Sequence, residues 1–410
     1  MTEDELYRAS SQFRLWNFTP EKLVSLRSET NAIACRSVRE AFKRKRARDQ
    51  ALSAESSNTA SDADGNGVSH GAATKNGAKE VKEVEVLTVE EEMKMVDFYC
   101  SNMLNVGTGE PFNFPINVTG TSVQLFKRFY LSHSPMDYHP KQIMPSALFL
   151  ATKTEGHHTA LKIFVEKLNQ VPGLNKVTAE DVLAPEFILT QGLRFCFDVR
   201  HPYRGLKGFY LECRIMDQAM KASNLPENFS NQTEEEMREN IKRETKKTSQ
   251  DFLADVDHGY GLVRNTLNNA ALVSDAYFLY TPSQILFGAW YLHKPALIKY
   301  YLDMKLSQNP NSPSAQKLWD VINDCTMLLE EKEAQIGAVA DRAQLSRIDK
   351  KLYKCRNPEK IDLVGLNKAQ KRDAGKEGQL DEQKAKKRKM AREKSEKEGD
   401  DLFGPDLVKP

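Results

Sequence analysis

The residues able to do chemistry in this chain of 410 residues are few and scattered. His157 and His158 are the first candidates for a metal site. Adjacent imidazoles on one turn point apart, however, and no Cys or second His follows four residues on, so a polar loop is the better reading. The six cysteines, at 35, 100, 196, 213, 325 and 355, form no Cys-x-x-Cys pair, which argues against a zinc ribbon. Met1, Glu3, Asp4 and Glu5 lack the basic-then-apolar pattern of a signal peptide, so scattered thiols are expected in a reducing compartment. No Gly-rich phosphate loop, Gly-x-Ser-x-Gly elbow or His-Glu-x-x-His motif is present. What remains is charge. Lys127-Arg128 offers a phosphate grip or an internal ion pair. Lys153 and Glu186 read locally as solvated or paired charges, a contact worth about 0–1 kcal/mol. The basic runs at 43–46 and 384–392 lack the interleaved aromatics of a single-strand platform and read as import signals or solvated faces.

Helices must position these residues. Thr19-Pro20-Glu21 starts one, with Leu23, Leu26, Ile33 and Val38 along a loose stripe. Thr88-Val89-Glu90-Glu91 is a capping box that opens a second run of periodicity. Five short helices follow as far as Phe195, the third ending at Lys153 and the fifth holding Val182, Leu183, Phe187 and Ile188 as apolar positions. Pro185 is expected to kink that fifth helix. After His201-Pro202-Tyr203-Arg204 a similar rhythm begins again, with a helix start at Thr281-Pro282-Ser283. Sustained period-two alternation is absent, so the class is all-α. Apolar residues make up 40% and charged residues 28%, net charge is +2 and mean hydropathy is −0.58, which suits a helical core carrying polar segments. The organisation expected is an N-terminal helical segment at 1–48, a disordered insertion at 49–86, helical halves at 87–200 and 201–310, a C-terminal helix at 311–360 and a disordered basic tail at 361–410. The second half carries a polar insertion at 223–250. No apolar run approaches the ~20 residues that span a bilayer, so no membrane is expected as a partner.

Several motifs resemble the cyclin H family, the cyclins of CDK-activating kinases. They are Ser10-Ser11-Gln12 with Trp16 and Phe18, Phe126-Lys127-Arg128-Phe129-Tyr130-Leu131, Met136-Asp137-Tyr138-His139-Pro140, Phe149-Leu150-Ala151-Thr152-Lys153, His201-Pro202-Tyr203-Arg204, and the run from Asp275 to Ile285, Asp-Ala-Tyr-Phe-Leu-Tyr-Thr-Pro-Ser-Gln-Ile. The resemblance covers most of the ordered chain and implies two tandem five-helix cyclin boxes flanked by N- and C-terminal helices. It implies a nuclear, non-catalytic regulatory subunit with no cofactor and no direct nucleic-acid contact. The partners implied are a cyclin-dependent kinase catalytic subunit, an assembly factor and the core of transcription factor IIH. Lys153 and Glu186 match residues that contact the kinase in this family. Glu155 stands near the family's acidic pair, here altered to Thr154-Glu155-Gly156-His157-His158. Trp16 and Phe18 are implied to help hold the kinase, and Lys127 to brace the first box through one of the acids Glu90–Glu92, with Glu91 named for the pair. Lys386-Lys387-Arg388-Lys389 is implied as an import signal. The competing reading is a DNA-binding cyclin-fold general transcription factor of the IIB type, which would want an N-terminal zinc ribbon that these cysteines do not supply.

Overall fold

The computed structural model describes residues 3–58, 84–221, 249–306, 312–337 and 342–365. Among the described residues the regular structure is helical throughout. A first unit, Met1–Ile361, holds almost all of it. It begins with α1 (Glu3–Ala9), α2 (Ser11–Trp16) and the long α3 (Pro20–Asn58). Then come α4 (Val89–Thr108), α5 (Ile116–Phe129), α6 (Pro140–Thr154), α7 (Leu161–Leu168) and α8 (Ala179–Gly192). These five lie within residues 87–200, and the capping box at Thr88 and Glu91 opens α4 as the sequence predicts. The second half holds α9 (Tyr203–Lys221), α10 (Ser249–Asn268), the short α11 (Ala270–Val273) and α12 (Ala276–Leu279), α13 (Pro282–His293), α14 (Pro295–Lys305) and α15 (Pro313–Gly337). A last helix, α16 (Arg342–Cys355), lies on α4.

Three boundaries differ from expectation. α3 continues to Asn58, so residues 49–58 are helical rather than part of a disordered insertion. The one C-terminal helix expected at 311–360 is two. α15 packs chiefly on α13, just as α8 packs on α6, and so closes the second repeat. Gly288 permits that contact, since a Cβ there would lie 2.9 Å from Cys325 Sγ. Most of the insertion at 223–250, residues 59–83 of that at 49–86 and the cluster 386–389 lie outside the described residues. The second unit, Asp362–Pro410, is described only at 362–365, where Gly365 N donates to Asp362 Oδ1 at 2.8 Å.

α5 is the wall shared by both repeats. Every residue from Val118 to Phe129 is buried, polar ones included. Buried polar groups need partners, and Gln124 and Lys127 find theirs in the second repeat. The short α11 ends in unsatisfied carbonyls, as every helix must. Gln124 Nε2 donates to Leu272 O at 2.9 Å, and Lys127 Nζ donates to Val273 O at 2.7 Å and to Ser274 O. Lys127 also lies 3.4 Å from Asp275 Oδ1 and 5.4 Å from the Phe278 ring centre. Arg27 of α3 closes the site with a bidentate pair to Asp275, at 2.7 and 2.8 Å. Burial works against a charged Asp275, yet Lys127 and Arg27 hold its carboxyl well below the usual range.

Lys127 therefore braces the two repeats against each other. It does not pair with Glu91, contrary to the expectation from sequence. Glu91 is occupied elsewhere: its carboxylate accepts from Thr88 N at 2.9 Å and from Lys351 Nζ of α16 at 2.8 Å.

A second polar link crosses the same boundary. Thr121 Oγ1 donates to Glu155 Oε1 at 2.7 Å and lies 2.9 Å from His201 Nε2, while His201 Nδ1 lies 2.9 Å from Tyr277 OH. With its one proton given to Glu155, Thr121 must accept from His201 Nε2–H. Nδ1 then accepts from the tyrosine, and the imidazole is neutral. Burial, aided by Arg128, pushes its pKa down to about 3. A Cβ at Gly120 would lie 3.0 Å from this ring, so the glycine lets the repeats close over it.

Two outcomes follow from these links. Lys127→Ala leaves Asp275 short of its most buried partner and is expected to lower unfolding free energy by about 3–5 kcal/mol, as for other broken buried pairs. Arg27→Ala, at a more exposed position, should cost less than half of that in the same urea titration. His201 refuses a proton that the unfolded chain accepts below pH ~6.5, so its contribution to stability is complete at neutral pH and is lost as pH falls towards 3. His201→Asn lacks that loss. Its stability deficit against wild type at pH 7.5 is expected to shrink by about 2 kcal/mol at pH 5; a constant deficit would rule out a neutral, buried His201.

Candidate functional site

α6 and α8 lie side by side and bring Lys153 and Glu186 together at 2.5 Å. Lys153 sits in the last turn of α6, where a cation is favoured by the helix dipole. Its Nζ also lies 4.5 Å from the centre of the Phe149 ring. Glu186 follows Pro185, yet α8 is continuous from Ala179 to Gly192. Ser146 Oγ donates to Val182 O at 2.6 Å and ties α8 to α6 in the turn before the proline. The Lys153 side chain is largely in water, so the pair by itself adds little stability.

The surroundings of the pair are less ordinary. α8 buries Val182, Ala184, Pro185 and Leu189, as a packed helix should. It also presents Leu183, 38% exposed, and Phe187, 49% exposed. Residues 183, 186, 187 and 190 share one face at helical spacing. Glu186 thus stands between two large apolar side chains turned to solvent. Read from sequence, Leu183 and Phe187 belong to the apolar pattern that builds the core; the structure takes them out of it. The signal available in advance was that α8 is apolar on both sides, which a helix with one solvated face does not need.

Glu155 is exposed and caps the end of α6 next to this pair, its carboxylate tied down by Thr121. Trp16 and Phe18 are placed differently from a docking residue. Trp16 is 4% exposed and clusters with Leu23, Leu131 and Phe278. Arg128 lies over its ring at 5.3 Å and Arg194 at 5.9 Å. Phe18 packs half-buried against Phe278, and its N–H donates to Phe278 O at 2.7 Å. Upstream, Gln12 Oε1 accepts from Arg200 N at 2.6 Å in the link between repeats. The N-terminal segment is therefore built into the seam of the two repeats, and its aromatic side chains brace from within.

No catalytic constellation appears among the described residues. His157 is exposed with its ring edge-on to Phe114 at 5.2 Å, and no metal-competent group of His, Cys, Asp or Glu is present there. Burial pushes the Cys325 thiol up to about 12 and the Cys355 thiol up to about 11, which makes both poor nucleophiles. No described helix is long and apolar enough to cross a membrane.

Comparison with known proteins agrees with this geometry. Residues 201–330 match the family described as Cyclin C-terminal domain, a span that includes most of α15. Cyclin CCL1 of Saccharomyces cerevisiae is 27% identical over 76% of this chain and 64% of its own length, so the match spans slightly less than two thirds of that relative. Cyclin mcs2 of Schizosaccharomyces pombe is 29% identical over 86% of each chain. Among solved structures, a chain of the CAK complex from Chaetomium thermophilum bound to ATP-γ-S superposes with a TM-score of 0.65 at 26% identity, over 91% of this chain and 96% of that one. In sequence and in the arrangement of its two helical repeats the chain is thus similar to cyclins, and residues 201–330 match the cyclin C-terminal domain.

Proposed function

We propose that this chain is the non-catalytic, nuclear regulatory subunit of a cyclin-dependent kinase of the CDK-activating type, acting in transcription with transcription factor IIH. We further propose that the face formed by Lys153, Glu186, Leu183 and Phe187 docks the kinase. The observation that carries this reading is the pair of exposed apolar side chains flanking a charge pair on two mutually braced helices. Interfaces concentrate their energy in such a centre: apolar anchors that lose water, with charges fixing register. The names of the relatives and the complex that holds the similar structure support the same partner class.

Activation then needs no group transfer by this chain. A protein kinase is active when its Lys–Glu ion pair to helix αC is in place. A partner that binds that arrangement more tightly shifts the population by its differential affinity. Shifting the balance from mostly off to mostly on takes roughly 5 kcal/mol. Burying Leu183 and Phe187 supplies about 1.5–3 kcal/mol each at most. Lys153, Glu186 and Glu155 supply direction, since on binding they exchange water and each other for kinase polar groups. Trp16 and Phe18 act by holding the repeats in one orientation.

The test uses charge exchange. Lys153→Glu should weaken kinase affinity by roughly 30-fold to several-thousand-fold, the loss expected when a desolvated charge contact of about 2–5 kcal/mol is broken. The double variant Lys153→Glu/Glu186→Lys rebuilds the local pair, so its melting temperature should stay near wild type while affinity and peptide phosphorylation remain low. Phe187→Ala should weaken binding without altering the melt of the free chain. Near-wild-type affinity in all three variants would remove this face from the interface.

A further inference from the structure

α3 changes character along its length. Ala34, Val38 and Ala41 are buried against the body, and Phe42 is half-buried. From residue 43 to residue 52 no side chain is buried; all are exposed except Arg46, which is intermediate. Apart from the Arg44–Glu359 pair the helix thus projects from the body, running on for about 15 Å over those ten residues, at 1.5 Å per residue. Residues 36–48 of the sequence hold seven Lys or Arg and a single acid, Glu40. Arg44 is engaged with Glu359 at 2.9 Å and with Glu40 at 3.7 Å. Arg36, Lys43, Lys45 and Arg48 are exposed.

We propose that this projecting part of α3 binds the phosphate backbone of duplex nucleic acid. Four features on the helix favour that occupant. The cations are distributed around it, so charge is offered along a line and not at one pocket. Duplex DNA presents one negative charge per ~1.7 Å of axis, which such a line complements. A helix ~10–12 Å across matches a major groove of about the same width. The only large apolar side chain exposed between 43 and 52 is Leu52, which leaves an acidic protein partner without the buried anchors that give protein interfaces their affinity. The segment also lacks the aromatics that stack single-stranded bases. Sequence implied no nucleic-acid contact, and this one does not depend on the kinase-docking face.

The experiment is fluorescence anisotropy of the full chain on a labelled 20-base-pair duplex of arbitrary sequence over a salt series. Non-specific binding in the range of about 10⁻⁴–10⁻⁶ M near physiological salt is expected, with the logarithm of affinity falling linearly with the logarithm of salt concentration. The triple variant Lys43→Glu/Lys45→Glu/Arg48→Glu should weaken binding at least tenfold and reduce the slope by about 0.9 for each phosphate that it no longer neutralises. Its melt and its kinase activation should match wild type, because these side chains lie outside the body and outside the docking face. A matching triple reversal in the tail, Lys386→Glu/Lys387→Glu/Lys389→Glu, is the control. Binding that survives the helix variant and vanishes with the tail variant overturns the proposal. So does a poly-glutamate peptide of equal charge that binds the wild-type chain as tightly as the duplex does.

Discussion

Asp275 keeps its charge in a site where burial alone would neutralise it, and the arrangement of the whole molecule rests on that. Three segments distant in sequence supply what the carboxylate needs. α3 gives Arg27, α5 gives Lys127, and the turn after α11 gives Asp275 itself. Removing Asp275 or Lys127 strands a buried charge, which costs several kcal/mol, whereas Arg27 is the more exposed partner. The lysine does more than balance a charge. By donating to Val273 O and Ser274 O it also completes the C-terminus of α11, which otherwise ends in unpaired carbonyls. Electrostatics and backbone satisfaction therefore demand the same geometry, which leaves the two repeats little freedom to rotate.

That rigidity matters to the proposed docking face, which lies on the first repeat alone. Lys153 and Glu186 are carried by α6 and α8, and α6 packs against α5, whose far side meets α11. The Glu155–Thr121–His201–Tyr277 chain runs between the same places in hydrogen bonds. A surface that selects one state of a partner must not itself deform on contact, or its differential affinity is spent on its own rearrangement. The N-terminal segment serves the same end, with Trp16 and Phe18 filling the seam.

The charged surface divides into two kinds. Between α6 and α8 a charge pair is set beside apolar side chains, a mixture suited to a protein that excludes water. On α3 beyond Phe42, cations stand with almost no apolar company on a helix that has left the body. In water such a helix gains nothing from burial, and its own charges repel, so capacity for a polyanion is the property its composition provides.

Much of the fold is written locally. Thr88-Val89-Glu90-Glu91 and Thr281-Pro282-Ser283-Gln284 start helices because hydroxyl and carboxylate or amide groups satisfy orphan N–H groups within four residues, with no need of the rest of the chain. The five helices of the first repeat follow from periodicity in the same way. The resemblance of six motifs to cyclins added the pairing of repeats, which no local pattern carries. Tertiary structure alone decided which partner each charge takes. Lys127 meets Asp275 and not Glu91 because the choice depends on which carboxylate packing delivers to a buried ammonium, across more than a hundred residues of chain. It alone decided that Leu183 and Phe187 face water while Val182 and Leu189 do not, since a helix apolar on both sides contains no instruction about which side the body will cover. It also settled that α15 belongs to the second repeat, a matter of the close approach at Gly288 and not of any signal within residues 313–337.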